Sequence, residues 1–184
     1  MWQAQAATLD PNRLVFVDET GAKTNMTRRH GRAEVGERVV DHAPHGHWGT
    51  TTLVAALRLD GTTAPLAVEG ATDTEVFVIY IQKVLAPSLR PGDLVVMDNL
   101  SPHKAPAVAV AIRAAGAEVV FLPPYSPDLN PIEQLWSKVK AYLRKLKART
   151  LETLIDGIRE ALAAVTASDA QGWFGHCGYV HTQC

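Results

Sequence analysis

The sequence is poor in cysteine and has no long hydrophobic run. Its two cysteines, Cys177 and Cys184, both lie within the last eight residues, which is too few and too local a set for a disulfide framework. No stretch approaches the roughly 18 uninterrupted apolar residues of a transmembrane helix, and residues 1–5 lack the charged and apolar regions of a secretory signal. These absences predict a protein that works in a reducing cytoplasm and has no membrane partner.

A large net charge is also lacking, although the charges are unevenly distributed. The formal net charge is −1, from 18 basic and 19 acidic residues. Six basic residues fall between positions 138 and 149 with no acidic residue among them, so that 12 basic residues face 19 acidic ones in the rest of the chain. A basic stripe of this kind is typical either of a solvated helix face or of a surface that contacts phosphates. Its members are Lys138, Lys140, Arg144, Lys145, Lys147 and Arg149.

Internal repeats, low-complexity tracts and linkers are absent as well. With 184 residues, of which 47% are hydrophobic and 20% charged, the chain has the size and composition of one globular domain. We therefore expect residues 1–184 to form a single domain.

Five short apolar segments predict strands, and four segments with helical spacing of apolar residues predict helices. The Asp60-Gly61 dipeptide predicts a type I′ hairpin between the second and third strands, and Thr72 with Glu75 predicts a capping box at the first helix. The order βββαβαβαα favours an α/β fold with a mixed five-stranded sheet and helices on both faces. The expected strands are 14–17, 50–59, 65–69, 94–97 and 119–122, and the expected helices are 72–85, 102–115, 131–147 and 151–165.

Three acidic residues occupy positions that this order can bring together. Asp18 is expected to end the first strand and Asp98 the fourth, and parallel neighbouring strands open at the same edge of a sheet. Glu133 falls in the first turn of the helix expected over 131–147. Carboxylates that meet in one place repel each other, and a hard divalent cation removes that conflict. Ligands that are all oxygen favour Mg²⁺ or Mn²⁺, and two such ions would suit attack on a phosphodiester.

Each carboxylate also has a simpler interpretation. A single Asp after a strand is most often a turn or cap residue. Asn130 as N-cap, Pro131 at the first helical position and Glu133 two residues later would make a good helix start without any catalysis. Only the combination of the three favours a metal site.

The segments around these carboxylates resemble the catalytic blocks of the IS630 family of insertion-sequence transposases, which is related to the Tc1/mariner elements. The three segments read VDETG at 17–21, MDNLSPH at 97–103 and LPPYSPDLNPIE at 122–133. Between Asp98 and Glu133 lie 34 residues, the spacing typical of that superfamily. The resemblance extends over essentially the whole chain, and the third segment is its most specific part.

The resemblance implies a ribonuclease-H-like domain in which Asp18, Asp98 and Glu133 bind two Mg²⁺ or Mn²⁺ ions. It implies cleavage of double-stranded DNA at transposon ends and strand transfer, usually into a TA target, in the cytoplasm of a bacterium. Asn99 and His103 belong to the second block, and His103 could contact a phosphate or steady the site.

The resemblance also implies partners. In mariner relatives the segment between the first two strands reaches a partner subunit or DNA, so we expect a homodimer or DNA contact from Arg28, Arg29 and Arg32, and phosphate contacts from the basic stripe. Family members usually carry helix-turn-helix modules ahead of the first catalytic block, and the 17 residues before Asp18 are too few for one. End recognition is then expected from an upstream-frame polypeptide or a frameshifted fusion.

Two alternative functions remain open at this point. The chain could be a truncated or second-frame remnant that folds and can dimerise but is inactive alone. It could also be a ribonuclease-H-like nuclease that acts on RNA–DNA hybrids.

Overall fold

The computed structural model describes Trp2 and residues 8–42 and 49–179. Five strands form one sheet in the order β3-β2-β1-β4-β5. The pairs β3-β2 and β2-β1 are antiparallel, whereas β1-β4 and β4-β5 are parallel, so the predicted mixed five-stranded sheet is confirmed. The strands are β1 (Leu14–Lys23), β2 (Thr50–Arg58), β3 (Leu66–Glu69), β4 (Leu94–Met97) and β5 (Glu118–Phe121).

Helices cover both faces of this sheet. The first α-helix, Thr74–Tyr80, continues as a π-helical segment over Ile81–Leu85. Among the described residues, no helix is long and apolar enough to cross a bilayer. The α-helices are α1 (Thr74–Tyr80), α2 (Pro106–Ala114), α3 (Ile132–Leu146), α4 (Leu151–Ala163) and α5 (Ala167–His176).

The alternation of side chains along β1 separates two hydrophobic clusters. Leu14 and Phe16 point to one face, where they pack with α3, α4 and α5. Val15 and Val17 point to the other face, where they pack with α1 and α2. Because successive strand residues face opposite sides, this alternation assigns Asp18 to the α3 side and Glu19 to the α1 side.

β1 is longer than the sequence predicts, so Asp18 does not end it. The strand continues to Lys23, and its second half pairs with Thr50–Leu53 of β2. Its pairing with β4 is confined to Leu14–Phe16. Backbone hydrogen bonds to β2 therefore extend β1 beyond its apolar run. The pairing between β1 and β4 ends two residues before Asp18 and two residues before Asp98.

Several local predictions were wrong. The side chain of Asp73, not Thr72, caps α1 by accepting a hydrogen bond from the Val76 amide. The helix expected over 102–115 is a 3₁₀ turn (Pro102–Lys104) followed by α2, because Pro106 provides a new helix start. The helix α5 was not predicted.

The hairpin between β2 and β3 also differs from the prediction. Gly61 has φ +82°, whereas Asp60 is not among the described residues with positive φ, so the turn is not type I′. The Arg58 carbonyl accepts from the Gly61 amide, and the Asp60 carboxylate accepts from the Thr62 amide. One left-handed residue after an ordinary turn is a common solution for a three-residue loop.

A buried ion pair fastens the end of β2 to the start of β4. Arg58 Nη2 lies 2.6 Å from Asp93 Oδ2, and both side chains are almost fully buried. The same arginine donates to the Ser88 carbonyl, and Asp93 also accepts from the Arg90 amide. Burial acts to raise the pKa of Asp93, but these hydrogen bonds and positive charges outweigh it and hold the pKa below its usual value.

Candidate active site

Asp18, Asp98 and Glu133 line a single pocket of about 310 Å³ at the open end of the sheet. Asp18 comes from the middle of β1, Asp98 follows the last residue of β4, and Glu133 is the second residue of α3. The pocket opens where β1 and β4 part, because their pairing stops at Phe16 and Val96. Three segments that are far apart in the sequence thus bring their carboxylates to one place.

Asp18 is the most deeply placed of the three. It is 8% exposed, and its Oδ1 accepts a hydrogen bond of 2.7 Å from the Glu19 amide. Burial, with smaller contributions from the charges of Glu133 and Asp98, raises its pKa from 3.8 to about 7, although the amide hydrogen bond acts in the opposite direction. The site therefore holds an electrostatic conflict that a nearby positive charge would relieve.

Asp98 is held by its own loop and by His103. Its Oδ1 accepts from the Leu100 amide at 2.9 Å and lies 2.6 Å from His103 Nδ1, although the ring N–H does not point squarely at the oxygen. Burial acts to raise the pKa of Asp98, but these contacts and the charge of Lys104 lower it overall. His103 is 1% exposed and packs against the Phe77 ring at 4.4 Å. This histidine thus supports Asp98 from behind and does not line the described pocket.

Asn130 has a different role from the predicted helix cap. The residue at the cap position is Pro131, and no side chain caps α3. Instead, Asn130 Nδ2 donates to Asp18 Oδ2 at 3.4 Å, and Asn130 is 4% exposed. Its Oδ1 is buried without a hydrogen-bond partner. The asparagine therefore faces the carboxylates, while Glu133 begins the exposed side of the helix.

The rest of the pocket lining is mostly apolar. Apart from Asn99 and Asn130, it consists of Leu100 and the loop from Leu122 to Pro127. Asn99 positions this loop, because its side-chain amide donates to the Leu122 carbonyl, and the Leu122 amide donates to the Met97 carbonyl. Asn99 thus lies at the pocket but acts on the backbone of the neighbouring loop.

The donor set fits a hard divalent cation, although the side chains do not enclose one as they stand. The three carboxylates offer oxygen ligands only, which is the preference of Mg²⁺ and Mn²⁺, and burial of Asp18, with smaller contributions from the charges of Glu133 and Asp98, raises its pKa. In the described part of the chain, no three His, Cys, Asp or Glu side chains are arranged to hold a metal ion directly. Binding of a cation would require the carboxylates to turn towards a common point.

Two residues of the basic stripe, Lys138 and Lys147, form ion pairs with acidic side chains of the protein. Lys138 Nζ is 2.6 Å from Asp169 and 2.9 Å from the Ala164 carbonyl, so it ties α3 to the junction of α4 and α5. Lys147 Nζ is 2.6 Å from Asp41. Lys138 and Lys147 therefore have structural roles in the free protein.

Lys140 and Arg144 lie on the same side of α3 as Glu133. They follow it by seven and eleven residues, which at 1.5 Å per residue places them about 10 and 16 Å along the helix axis. Burial and the charge of Arg29 lower the pKa of Arg144, so these two arginines are close together. Lys145, the residue after Arg144 on α3, is exposed.

The segment between β1 and β2 lies beside the end of α3. Arg149 donates to the carbonyls of Thr24 and Met26, and Asp41 pairs with Lys147. Arg28, Arg29 and Arg32 are exposed on this segment. The segment is shorter than predicted, because residues 20–23 belong to β1.

Sequence reasoning missed two residues of the site. Asn130 was interpreted as a helix cap, and the asparagine of an Asn-Pro-x-Glu sequence carries no signal that distinguishes the two roles. Tyr125 appeared only as one letter of a motif, yet it is fully exposed at the pocket with φ +56°. Its unusual backbone cannot be recognised from residue type, since tyrosine rarely adopts positive φ.

The sheet order, with Asp18 of β1, Asp98 after β4 and Glu133 of α3 in one pocket, defines an α/β protein of the ribonuclease-H-like class. A family model described as DDE superfamily endonuclease matches residues 13–155. The chain belongs to this family.

Individual relatives agree with this membership. The chain is 30% identical to the Transposable element Tcb2 transposase of Caenorhabditis briggsae over 71 residues, which is 39% of this chain and 26% of that protein. Among solved structures, the Mos1 mariner paired end complex with Mn superposes with a TM-score of 0.74 at 18% identity, covering 96% of this chain and 56% of that one. The chain thus spans about a quarter of the first relative and about half of the second.

The Mos1 transposase catalytic domain, solved with raltegravir and Mg, gives a TM-score of 0.63 at 18% identity. It covers 92% of this chain and 80% of that domain. At this level of identity the likeness establishes a shared fold, and the match to a catalytic domain accounts for most of both chains.

Proposed function

We propose that this chain is the catalytic domain of a DNA transposase of the Tc1/mariner superfamily, and within it of the IS630 family. Its proposed reaction is metal-dependent cleavage of double-stranded DNA at transposon ends, followed by strand transfer into a target, usually at TA. The observation that carries the proposal is the meeting of Asp18, Asp98 and Glu133 in one pocket of a DDE superfamily endonuclease.

In this proposal the three carboxylates hold two Mg²⁺ or Mn²⁺ ions. When bound, these ions activate the attacking hydroxyl or water and stabilise the leaving oxygen. Such ions fit this site for two reasons. All of its donors are oxygen atoms, and burial of Asp18 beside two other carboxylates favours a compensating positive charge.

The protein groups around the carboxylates orient them. His103 and the Leu100 amide fix one oxygen of Asp98, while Asn130 and the Glu19 amide contact Asp18. A positioned site of this kind catalyses by orientation and charge and needs no protein nucleophile.

The relatives support the proposed substrate. One Mos1 structure is described as a paired end complex with Mn and another as a catalytic domain with Mg. We assign contacts with DNA phosphates to Lys140, Arg144 and Lys145 of α3 and to Arg28, Arg29 and Arg32 of the neighbouring segment. Lys138 and Lys147 could join them only by giving up Asp169 and Asp41.

The proposed domain organisation assigns one catalytic domain to residues 1–184. Recognition of the transposon end is assigned to a helix-turn-helix module outside these residues, either on an upstream-frame polypeptide or fused to this chain. A homodimer would bring two catalytic sites to the two ends of one element.

The proposal is tested by DNA cleavage with Mg²⁺ or Mn²⁺. Wild-type protein, with the upstream-frame product added, is expected to cut duplex DNA that carries the element's ends, and Asp98→Asn is expected to abolish cutting. Asp156→Asn is the matched control, because Asp156 is an exposed carboxylate on α4 that pairs with Arg159. Cutting that survives Asp98→Asn would reject the proposed site, and preferential cutting of RNA–DNA hybrids would favour a ribonuclease-H-like nuclease.

A further inference from the structure

Tyr125 is a fully exposed aromatic residue in a backbone conformation that tyrosine rarely adopts. Its relative exposure is 102%, and its φ is +56°. It lines the pocket that holds the three carboxylates, between Pro124 and Ser126. The only other described residue with positive φ that is not glycine is Lys147, which ends α3.

Neither the backbone nor the packing of the free protein favours tyrosine at this position. The left-handed region is strained for residues with a Cβ and is tolerated best by glycine and asparagine. A ring that is fully exposed gains nothing from burial, which is the usual source of stability from aromatic side chains. An exposed, strained residue beside a reactive site is therefore best explained by a contact formed with a ligand.

The loop that presents Tyr125 is anchored on both sides. Asn99 donates to the Leu122 carbonyl at its start. At its end, the amides of Leu129 and Asn130 donate to the Ser126 and Pro127 carbonyls, and the Tyr179 hydroxyl donates to the Leu129 carbonyl at 2.7 Å. Prolines at 123, 124 and 127 fix φ along the loop. The ring thus stands on a rigid support.

The pocket has the two kinds of surface that one nucleotide would need. The first is the group of carboxylates, which in the proposed function holds the reacting phosphodiester. The second is formed by Tyr125, the prolines of its loop and Leu100, which offer an aromatic face and apolar contacts but no basic group. A base is flat and apolar on its faces, and it stacks on tyrosine whatever its identity.

We propose that Tyr125 is a stacking platform for an unpaired DNA base next to the phosphodiester held at the carboxylates. This inference rests on the proposed function and extends it, since it predicts that the strand at the site is locally unpaired. A base inside an intact duplex has both faces covered by its neighbours, so only a strand end or an extruded base presents a free face.

The test uses fluorescence of 2-aminopurine in the single-stranded 3′ overhang of a short DNA duplex, with Ca²⁺ as the divalent ion. Wild-type protein and Tyr125→Phe are expected to quench the fluorescence, because both present an aromatic ring. Tyr125→Gly is expected to remove the quenching and to weaken binding of the overhang DNA about tenfold, with little change for a blunt duplex. Glycine is the appropriate variant because it accepts φ +56° without strain, so its fold is preserved.

Three results would overturn the inference. Equal quenching by wild type and Tyr125→Gly would show that the ring does not contact the base. An equal loss of affinity for overhang and blunt DNA would make Tyr125 a general surface contact. A change of oligomeric state in the DNA-free Tyr125→Gly protein, measured as the number of chains per particle in solution, would assign the ring to an interface between copies of the chain.

Failure of the inference is distinguishable from failure of the proposed function. If the wild-type protein cleaves DNA in an Asp98-dependent reaction while Tyr125→Gly still quenches, stacking fails and the function stands. If the protein cleaves no DNA and binds neither probe, the proposed function itself fails.

Discussion

The side-chain amide of Asn130 donates a hydrogen bond to Asp18 Oδ2 across the base of the pocket, at 3.4 Å. The contact joins Asn130, two residues before α3, to the centre of β1, 112 positions away in the sequence. It orients the most buried carboxylate of the site relative to the helix that carries Glu133.

We expect Asn130→Ala to weaken divalent-metal binding several-fold, because a hydrogen bond to a charged group contributes roughly 1.5–3 kcal/mol and one this long lies at the lower end or below. Calorimetric titration with Mn²⁺ would measure the change. Gln134→Ala is the matched control, since Gln134 is a half-buried amide on α3 that contacts Cys177 instead. Equal affinities of wild type and Asn130→Ala would show that the amide does not position Asp18.

Asp18 makes the stability of the metal-free protein depend on pH. Its pKa of about 7 in the folded state lies above 3.8, the ordinary value of an aspartate, which applies to the unfolded chain. The folded state therefore keeps a proton that the unfolded chain releases. The free energy of unfolding is therefore expected to fall as the pH rises from about 4 to 7. The full effect above pH 7 is on the order of 4 kcal/mol.

Asp18→Asn is expected to remove this dependence. In urea unfolding with a chelator present, the gain of the variant over wild type should be larger at pH 8 than at pH 5. Asp156→Asn, at an exposed carboxylate, should show no such gain. A gain for Asp18→Asn that is the same at both pH values would mean that burial does not raise the pKa of Asp18.

The two kinds of basic residue on α3 are expected to differ in how DNA binding depends on salt. Each phosphate contact that is lost lowers the slope of log K against log salt by about one. We expect Lys140→Gln with Arg144→Gln to lower the slope by about two. Lys138→Gln should leave it unchanged, because Lys138 is held by Asp169, and should instead lower the thermal stability. Equal slopes for the double variant and wild type would remove α3 from the DNA path.

The buried Arg58–Asp93 pair is expected to be important for stability. Arg58→Met leaves Asp93 buried without its partner, which should cost about 3–5 kcal/mol in the free energy of unfolding. Arg159→Met breaks an exposed pair, with side chains 73% and 55% exposed, and should cost less than about 1 kcal/mol. Chemical denaturation of both variants gives the comparison, and similar costs would indicate that Arg58 does not compensate a buried charge.

Sequence patterns predicted the sheet because each strand contains a short run of apolar residues. The segment after Asp18 escaped this reasoning, since Thr20, Gly21 and Lys23 do not form an apolar run and backbone bonds to β2 extend the strand. The helix α5 was missed for a similar reason, because two glycines weaken its pattern. Its Thr166–Asp169 capping box is a signal that could have identified it.

The candidate site could be predicted to the level of its three carboxylates but not their surroundings. The order of strands and the first turn of a helix were sufficient to bring Asp18, Asp98 and Glu133 near one another. The contacts of Asn130 and His103 depend on side-chain rotamers and on packing between distant segments. The φ of Tyr125 depends on how the loop is anchored at both ends, and no residue pattern encodes it.

Two of the carboxylates follow the sheet, whereas the third moves with α3. Asp18 and Asp98 adjoin strands that are buried between two clusters, but Glu133 keeps its place only while Leu135 and Trp136 stay docked on one face. A small rigid-body shift of this single helix would change the spacing of the carboxylates without breaking any strand pairing. The distance between Glu133 and the two aspartates is therefore set by how α3 packs on the sheet, and not by the pairing of the strands.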